Sequence, residues 1–172
     1  MTFIESETIE LKSSVVADLC KEVIAFANTR GGTLYIGVED NGTVIGVDSA
    51  DRVTLQINNM VRDSIKPDIT MFVHYETQVI NDKQIIAVTV QEGTDRPYYL
   101  GSKGLKPSGV YVRNGTSTDP ASDTAIRKMI KETDGDSFET MRSLEQTLSF
   151  QAAEAQFAKR KVPYDAARSE AP

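Results

Sequence analysis

Glu5, Glu10 and Lys12 fall together in the stretch Glu5-Ser6-Glu7-Thr8-Ile9-Glu10-Leu11-Lys12, and a further carboxylate, Asp40, follows at the end of a later apolar run. Ile9 and Leu11 alternate with Glu10 and Lys12. An extended Thr8–Lys12 segment therefore puts an acid and a base on one face. Carboxylates gathered at strand ends can hold Mg²⁺ or Mn²⁺ against a phosphate and lower the pKa of a bound water. Glu5, Glu10 and Asp40 are thus candidate metal ligands and catalytic acids. Lys12 is the candidate cation that neutralises a scissile phosphate. The plainer alternative is that Glu5 and Glu7 are solvated acids and Asp40 only opens a turn.

A second set of residues could contact nucleic acid. Asn28-Thr29-Arg30 precedes Gly31-Gly32, where a backbone without side chains can approach a phosphate closely. The same glycines would equally serve as a helix cap. Lys103, Lys106 and Arg113 surround the loop Gly101 to Gly109, with Tyr98, Tyr99 and Tyr111 nearby. Basic and aromatic residues so interleaved suit phosphate contact and base stacking, although a solvated loop beside core tyrosines reads the same way. Lys12, Asn28, Arg30, Lys103, Lys106 and Arg113 form the candidate nucleic-acid set. No Gly-x4-Gly-Lys-Ser/Thr loop is present, so the residues give no support for ATP binding.

The elements that must carry these residues follow from periodicity. Val16, Leu19, Cys20, Val23, Ile24 and Ala27 recur at helical spacing. Gly31-Gly32 would end that helix in a left-handed cap. Leu34–Val38 and Val44–Val47 read as a hairpin joined by Asp40-Asn41-Gly42. Ser49 would cap a second helix bearing Val53, Ile57, Met60 and Val61, stopped by Pro67. Met71 to Val79 and Ile86 to Val90 alternate around an Asn81-Asp82 turn, a second hairpin that carries His74 on its polar side. Val110–Arg113 reads as a short last strand, followed by a polar turn over Asn114–Thr118. Ser122 would then cap a helix with Ala125, Ile126, Met129 and Ile130 inward. The class is α+β: a mixed or antiparallel sheet of two hairpins with packed helices. Thr133 to Asp136 reads as a break, which makes 1–133 one domain and 134–172 a linker and the start of a following region of a longer protein.

Composition narrows the classes. The chain has 172 residues, 40% hydrophobic and 26% charged, an ordinary globular balance with length enough for a real core. No run is apolar enough to span a membrane, and no signal peptide is evident. Cys20 is the only cysteine and His74 the only histidine. A disulfide framework and a four-ligand zinc site are both excluded, which points to a cytoplasmic protein. Cys20 sits on the apolar helix face and reads as an inert buried thiol. A formal charge of −6 argues against a uniformly basic nucleic-acid binder, while leaving room for a local basic patch.

Taken in order, Glu5-x4-Glu10-x-Lys12, Ala25-Phe26-Ala27-Asn28-Thr29-x-Gly31-Gly32, Ile36-Gly37-Val38-x-Asp40-x-Gly42-x-Val44-x-Gly46 and Tyr111-Val112-Arg113-x-Gly115-x-Ser117 resemble the Schlafen AlbA-type domain. In bacteria such domains form the N-terminal part of transcriptional regulators, so the resemblance implies a DNA-binding module. In vertebrate Schlafen proteins the fold carries a three-carboxylate endoribonuclease site for structured RNA. Glu5, Glu10 and Asp40 match those three carboxylates, which implies the alternative of a Mg²⁺- or Mn²⁺-dependent nuclease. The vertebrate proteins pair two lobes around a basic groove. This chain carries one, and a homodimer is the way it could rebuild such a groove.

Overall fold

The computed structural model describes residues 3–134. Packing divides the chain into two units, Met1–Ile130 and Lys131–Pro172, and every site discussed below lies in the first. Strand β1 (Ile9–Lys12) leads into helix α1 (Leu19–Asn28), strand β2 (Gly32–Ile36), helix α2 (Ala50–Ser64) and the short strand β3 (Ile65–Lys66). Strands β4 (Val73–Ile80) and β5 (Lys83–Val90) form a hairpin, and β6 (Tyr99–Leu100), β7 (Tyr111–Asn114) and β8 (Ser117–Pro120) follow. Helix α3 occupies 123–134. The main sheet has the order β1-β2-β5-β4, with β1 parallel to β2 and the other pairs antiparallel. The α+β class holds, and the sheet is mixed.

Helix α1 is the centre of the domain. Nine of its ten residues are buried, because the sheet covers one side, α2 another, and β7 and β8 a third. Leu19, Ile24 and Phe26 are fully buried, and each contributes roughly 1.5–3 kcal/mol of burial. Gly31 ends the helix as expected, with φ 79° and its N–H donating to Phe26 O at 2.7 Å. The neighbouring Gly32 has no room for a side chain, since a Cβ there would lie 2.5 Å from the Phe26 ring. Val16 is a correction: it precedes the helix and is exposed.

Local capping signals are realised. Ser49 Oγ accepts from Arg52 N, and Ser122 Oγ accepts from Ala125 N at 3.1 Å. Asn81 and Asp82 turn the β4–β5 hairpin with φ 53° and 62°. The first expected hairpin shrinks to a single bridge, Val38 to Val44. Gly46 takes φ 78° and donates to Gly37 O, and Val47 N–H turns to Gln84 O of β5. Val110–Arg113 is not the last strand, because β8 begins within the expected polar turn, at Ser117, and pairs antiparallel with β7. Helix α3 continues through 134, across the first half of the expected break. The expectations for 135–172 lie outside the described residues.

Candidate functional site

The parallel register sets Glu10 beside Leu34 and Lys12 beside Ile36. Leu34 and Ile36 face the core, so Glu10 and Lys12 point inward toward α1 rather than out to solvent. There they meet Glu22, which shares a buried stripe of α1 with Leu19 and Phe26. Lys12 Nζ lies 3.0 Å from Glu22 Oε2 and 3.6 Å from Glu10 Oε2. From β7, Arg113 Nη1 reaches Glu10 Oε1 at 2.8 Å and Glu22 Oε1 at 3.5 Å. Two acids and two bases thus form a charge-balanced quartet, with the Arg113 side chain 1% exposed.

Further contacts fix the quartet in place. Arg113 Nη2 donates to Ser6 O at 2.8 Å and Ile9 O at 3.1 Å, and Nη1 donates to Thr118 Oγ1 at 3.0 Å. The Thr118 hydroxyl in turn donates to Glu22. The guanidinium lies over the Phe26 ring, 5.1 Å from its centroid. Glu5 stands at the edge, its Oε2 accepting from Leu11 N at 3.2 Å.

These neighbours shape the titrations. Burial, helped by the Glu22 and Glu5 charges, pushes the Glu10 carboxyl up to about 7, with Arg113 pulling the other way. Burial alone would lower the Lys12 pKa, but its hydrogen bond to Glu22 and the charges of Glu22 and Glu10 outweigh that and raise it. Both effects follow from removing charges from water beside like or opposite charges. Burial also pushes the Cys20 thiol up, in keeping with an inert core cysteine.

Asn28 is equally interior. Its Nδ2 donates to Tyr98 O and Tyr111 O, both at 3.0 Å, and its Oδ1 accepts from Tyr98 N at 2.8 Å. One side chain therefore satisfies three backbone groups on two segments far apart in sequence. Asn28 and Arg113 are corrections to the nucleic-acid set, because both side chains are buried: the Asn28 amide and the Arg113 Nη atoms bond within the protein, and Arg113 Nε, though it has no partner, is buried with them. Lys12 is turned inward and doubly paired, so it is not a free phosphate contact either. Of the tyrosines, Tyr98 is fully buried and Tyr111 is 8% exposed, which leaves only the half-buried Tyr99 with a face near the surface.

The exposed candidates lie elsewhere. Arg30 is exposed and pairs with Glu7 at 3.2 Å. Lys103 and Lys106 are exposed on the loop between β6 and β7, and their ammonium groups have no ion pair among the described residues. Backbone bonds shape this loop: Gly104 N–H donates to Leu100 O at 2.9 Å, and Gly109 N–H to Lys106 O at 2.8 Å. Lys66 of β3 packs along its start, since a Cβ on Gly101 would sit 3.2 Å from Lys66 Cγ.

The sequence pattern of the Schlafen AlbA_2 domain matches residues 5–122. The chain belongs to the Schlafen AlbA_2 family. Among solved structures it is similar to the N-terminal domain of a protein from Nitrosomonas europaea named as related to the ATP-dependent DNA helicase RecG. The two share 30% identity with a TM-score of 0.51, over 66% of this chain and 82% of that one. It is also similar in fold to the DIP2311 protein of Corynebacterium diphtheriae, at 20% identity and a TM-score of 0.51, over 67% of this chain. The match spans only 22% of that protein's length. No curated protein matches.

In this chain the three expected metal ligands, Glu5, Glu10 and Asp40, are not gathered into one group. Glu10 gives one oxygen to Arg113 and the other to Lys12. Asp40 is exposed in the turn closed by Gly42 N–H to Glu39 O at 2.8 Å, which carries it out past the end of β2. Among the described residues no group of three or more Asp, Glu, His or Cys could hold a metal ion. These side chains therefore do not fit a three-carboxylate Mg²⁺ or Mn²⁺ site.

Three residues of this region escaped the sequence reading. Glu22 left one signal, a lone acid in register with Leu19 and Phe26 on an otherwise apolar helix. Thr118 and Lys66 left none, because only tertiary pairing brings them to Glu22 and to the lysine loop.

Proposed function

We propose that this domain is the nucleic-acid-binding module of a bacterial transcriptional regulator, and that it holds DNA through phosphate contacts from the 101–109 loop. One observation carries the reading. Lys103 and Lys106 are exposed and without ion-pair partners among the described residues, whereas Lys12 and Arg113 are used up inside the quartet. Lys66 adds a third cation beside the loop. Family membership and the likeness to a protein named for a DNA helicase support the same reading. An acidic protein with a small basic patch should bind weakly and with strong salt dependence, because phosphate neutralisation releases counterions. Arg30, exposed and paired with Glu7, is a secondary contact in competition with that acid.

The test is fluorescence anisotropy with labelled single-stranded DNA, duplex DNA and RNA across a salt series. Replacing Lys66, Lys103 and Lys106 together by Ala should weaken duplex DNA binding about tenfold or more at low salt. It should also flatten the log–log salt slope by roughly 2–3. Unchanged affinity and slope would remove the loop from the interface. Binding confined to RNA would move the module to an RNA role.

A further inference from the structure

We infer that β4 is a self-association edge, through which two copies of this chain join antiparallel about a two-fold axis at Thr77. Strand β4 is the outer strand of the main sheet, and its eight residues pair with β5 in unbroken register from Val73–Val90 to Ile80–Lys83. Natural edge strands are guarded by lysines, prolines, bulges or short length. Val-His-Tyr-Glu-Thr-Gln-Val-Ile has no lysine, proline or bulge and runs for eight residues, and Glu76 is its one charged side chain. Its opposite number, β1, is only four residues long and carries Lys12.

The backbone is set up for pairing. Ile80 and Lys83 flank the two-residue turn Asn81-Asp82, whose positive φ angles are those of a type I′ turn. Such a turn makes Ile80 and Lys83 a mutually hydrogen-bonded pair. By alternation Gln78, Glu76 and His74 also direct their backbone groups at β5, while Tyr75, Thr77 and Val79 direct theirs outward. Thr77 and Val79 are exposed, Val79 at 66%.

Charge selects the register. A two-fold axis normal to the sheet keeps each face on its own side, so it must pass through one residue position. Centred on Glu76, it would set two carboxylates directly opposite each other, which is unfavourable. Centred on Thr77, it sets Glu76 opposite Gln78 of the second copy, twice over. Gln78 Nε2 already donates to Glu76 of its own strand at 3.3 Å, so the four side chains can share donors and acceptors. On the other face Tyr75 meets Val79 of the second copy, covering an apolar side chain that now stands in water.

The test uses the full chain, without nucleic acid, in sedimentation velocity. The wild type should show a concentration-dependent dimer. Thr77→Pro should weaken it about tenfold or more, because Pro removes an outward donor and blocks the line of bonds. The β4–β5 ladder does not use that N–H, so the circular dichroism spectrum should be unchanged. As a check on register, Thr77→Cys should cross-link under mild oxidation, the paired Cα atoms lying about 5.5 Å apart across the axis. Glu76→Cys should cross-link far more slowly. A monomeric wild type, a Thr77→Pro variant that associates as the wild type does, or equal cross-linking at both positions would overturn the inference.

Discussion

Arg113 of β7 donates to the Glu10 carboxylate of β1 at 2.8 Å, so the motif near the end of the domain holds the motif near its start. The same guanidinium satisfies the carbonyls of Ser6 and Ile9. Its role is to fasten the N-terminal strand to the β7–β8 hairpin across the end of α1.

Replacing Arg113 by Ala should therefore act on stability. Removing one partner from a buried ion network leaves an uncompensated charge, at a cost of roughly 3–5 kcal/mol. Arg113→Lys should recover only part of this, since an ammonium cannot reproduce the forked contacts. Urea unfolding of the variants checks it. A variant that unfolds like the wild type but binds DNA less well would contradict this account.

Glu10 predicts a pH dependence with a definite sign. Its folded-state pKa of about 7 lies above the ordinary value of 4.5, so between those pH values the native state binds more protons than the unfolded state. The stability it contributes is fully present below about pH 4.5 and is lost as pH rises through about 7. The change should be about 1–3 kcal/mol. Unfolding midpoints on either side of this window should show the loss in the wild type, and Glu10→Gln should flatten it.

Asn28→Ala should be among the most damaging polar substitutions. It strands the backbone groups of Tyr98 and Tyr111 that Asn28 now satisfies. At about 1–3 kcal/mol for each of the three buried groups left unsatisfied, an overall loss of roughly 3 kcal/mol or more is expected in denaturant unfolding. Residual nucleic-acid affinity in the folded fraction should stay at the wild-type level.

Asp40→Asn should do little. The side chain is exposed in a turn, where substitutions usually stay within about 0.5 kcal/mol. Thermal melts with and without Mn²⁺ should shift alike in the wild type and this variant. A Mn²⁺-dependent rise in Tm that Asp40→Asn abolishes would restore the three-carboxylate site.

Much of the fold was legible because its signals are local. The apolar period of α1, the caps at Ser49 and Ser122 and the turn at Asn81-Asp82 each depend on a few neighbouring residues. The family resemblance rested on the order of four short motifs, and it survives as family membership. Two local readings failed where backbone conformation competed with side-chain pattern. Val44–Val47 looks like a strand, but the positive φ of Gly46 and the pull of Gln84 O divert it. Ser117–Pro120 shows no apolar alternation, because that hairpin is held by the pairing of β8 with β7 and by Thr118.

Alternation along β1 is enough to put Glu10 and Lys12 on one face, since it needs no partner strand. Which way that face points was a tertiary outcome. The register with β2 turned it inward, and only there could Glu22 and Arg113 reach it. Asn28, Arg113 and Lys12 carry the same polar groups whether they meet a phosphate or a carboxylate and a carbonyl. Burial and the proximity of segments distant in the chain turned all three inward, and left Lys103 and Lys106 in solvent.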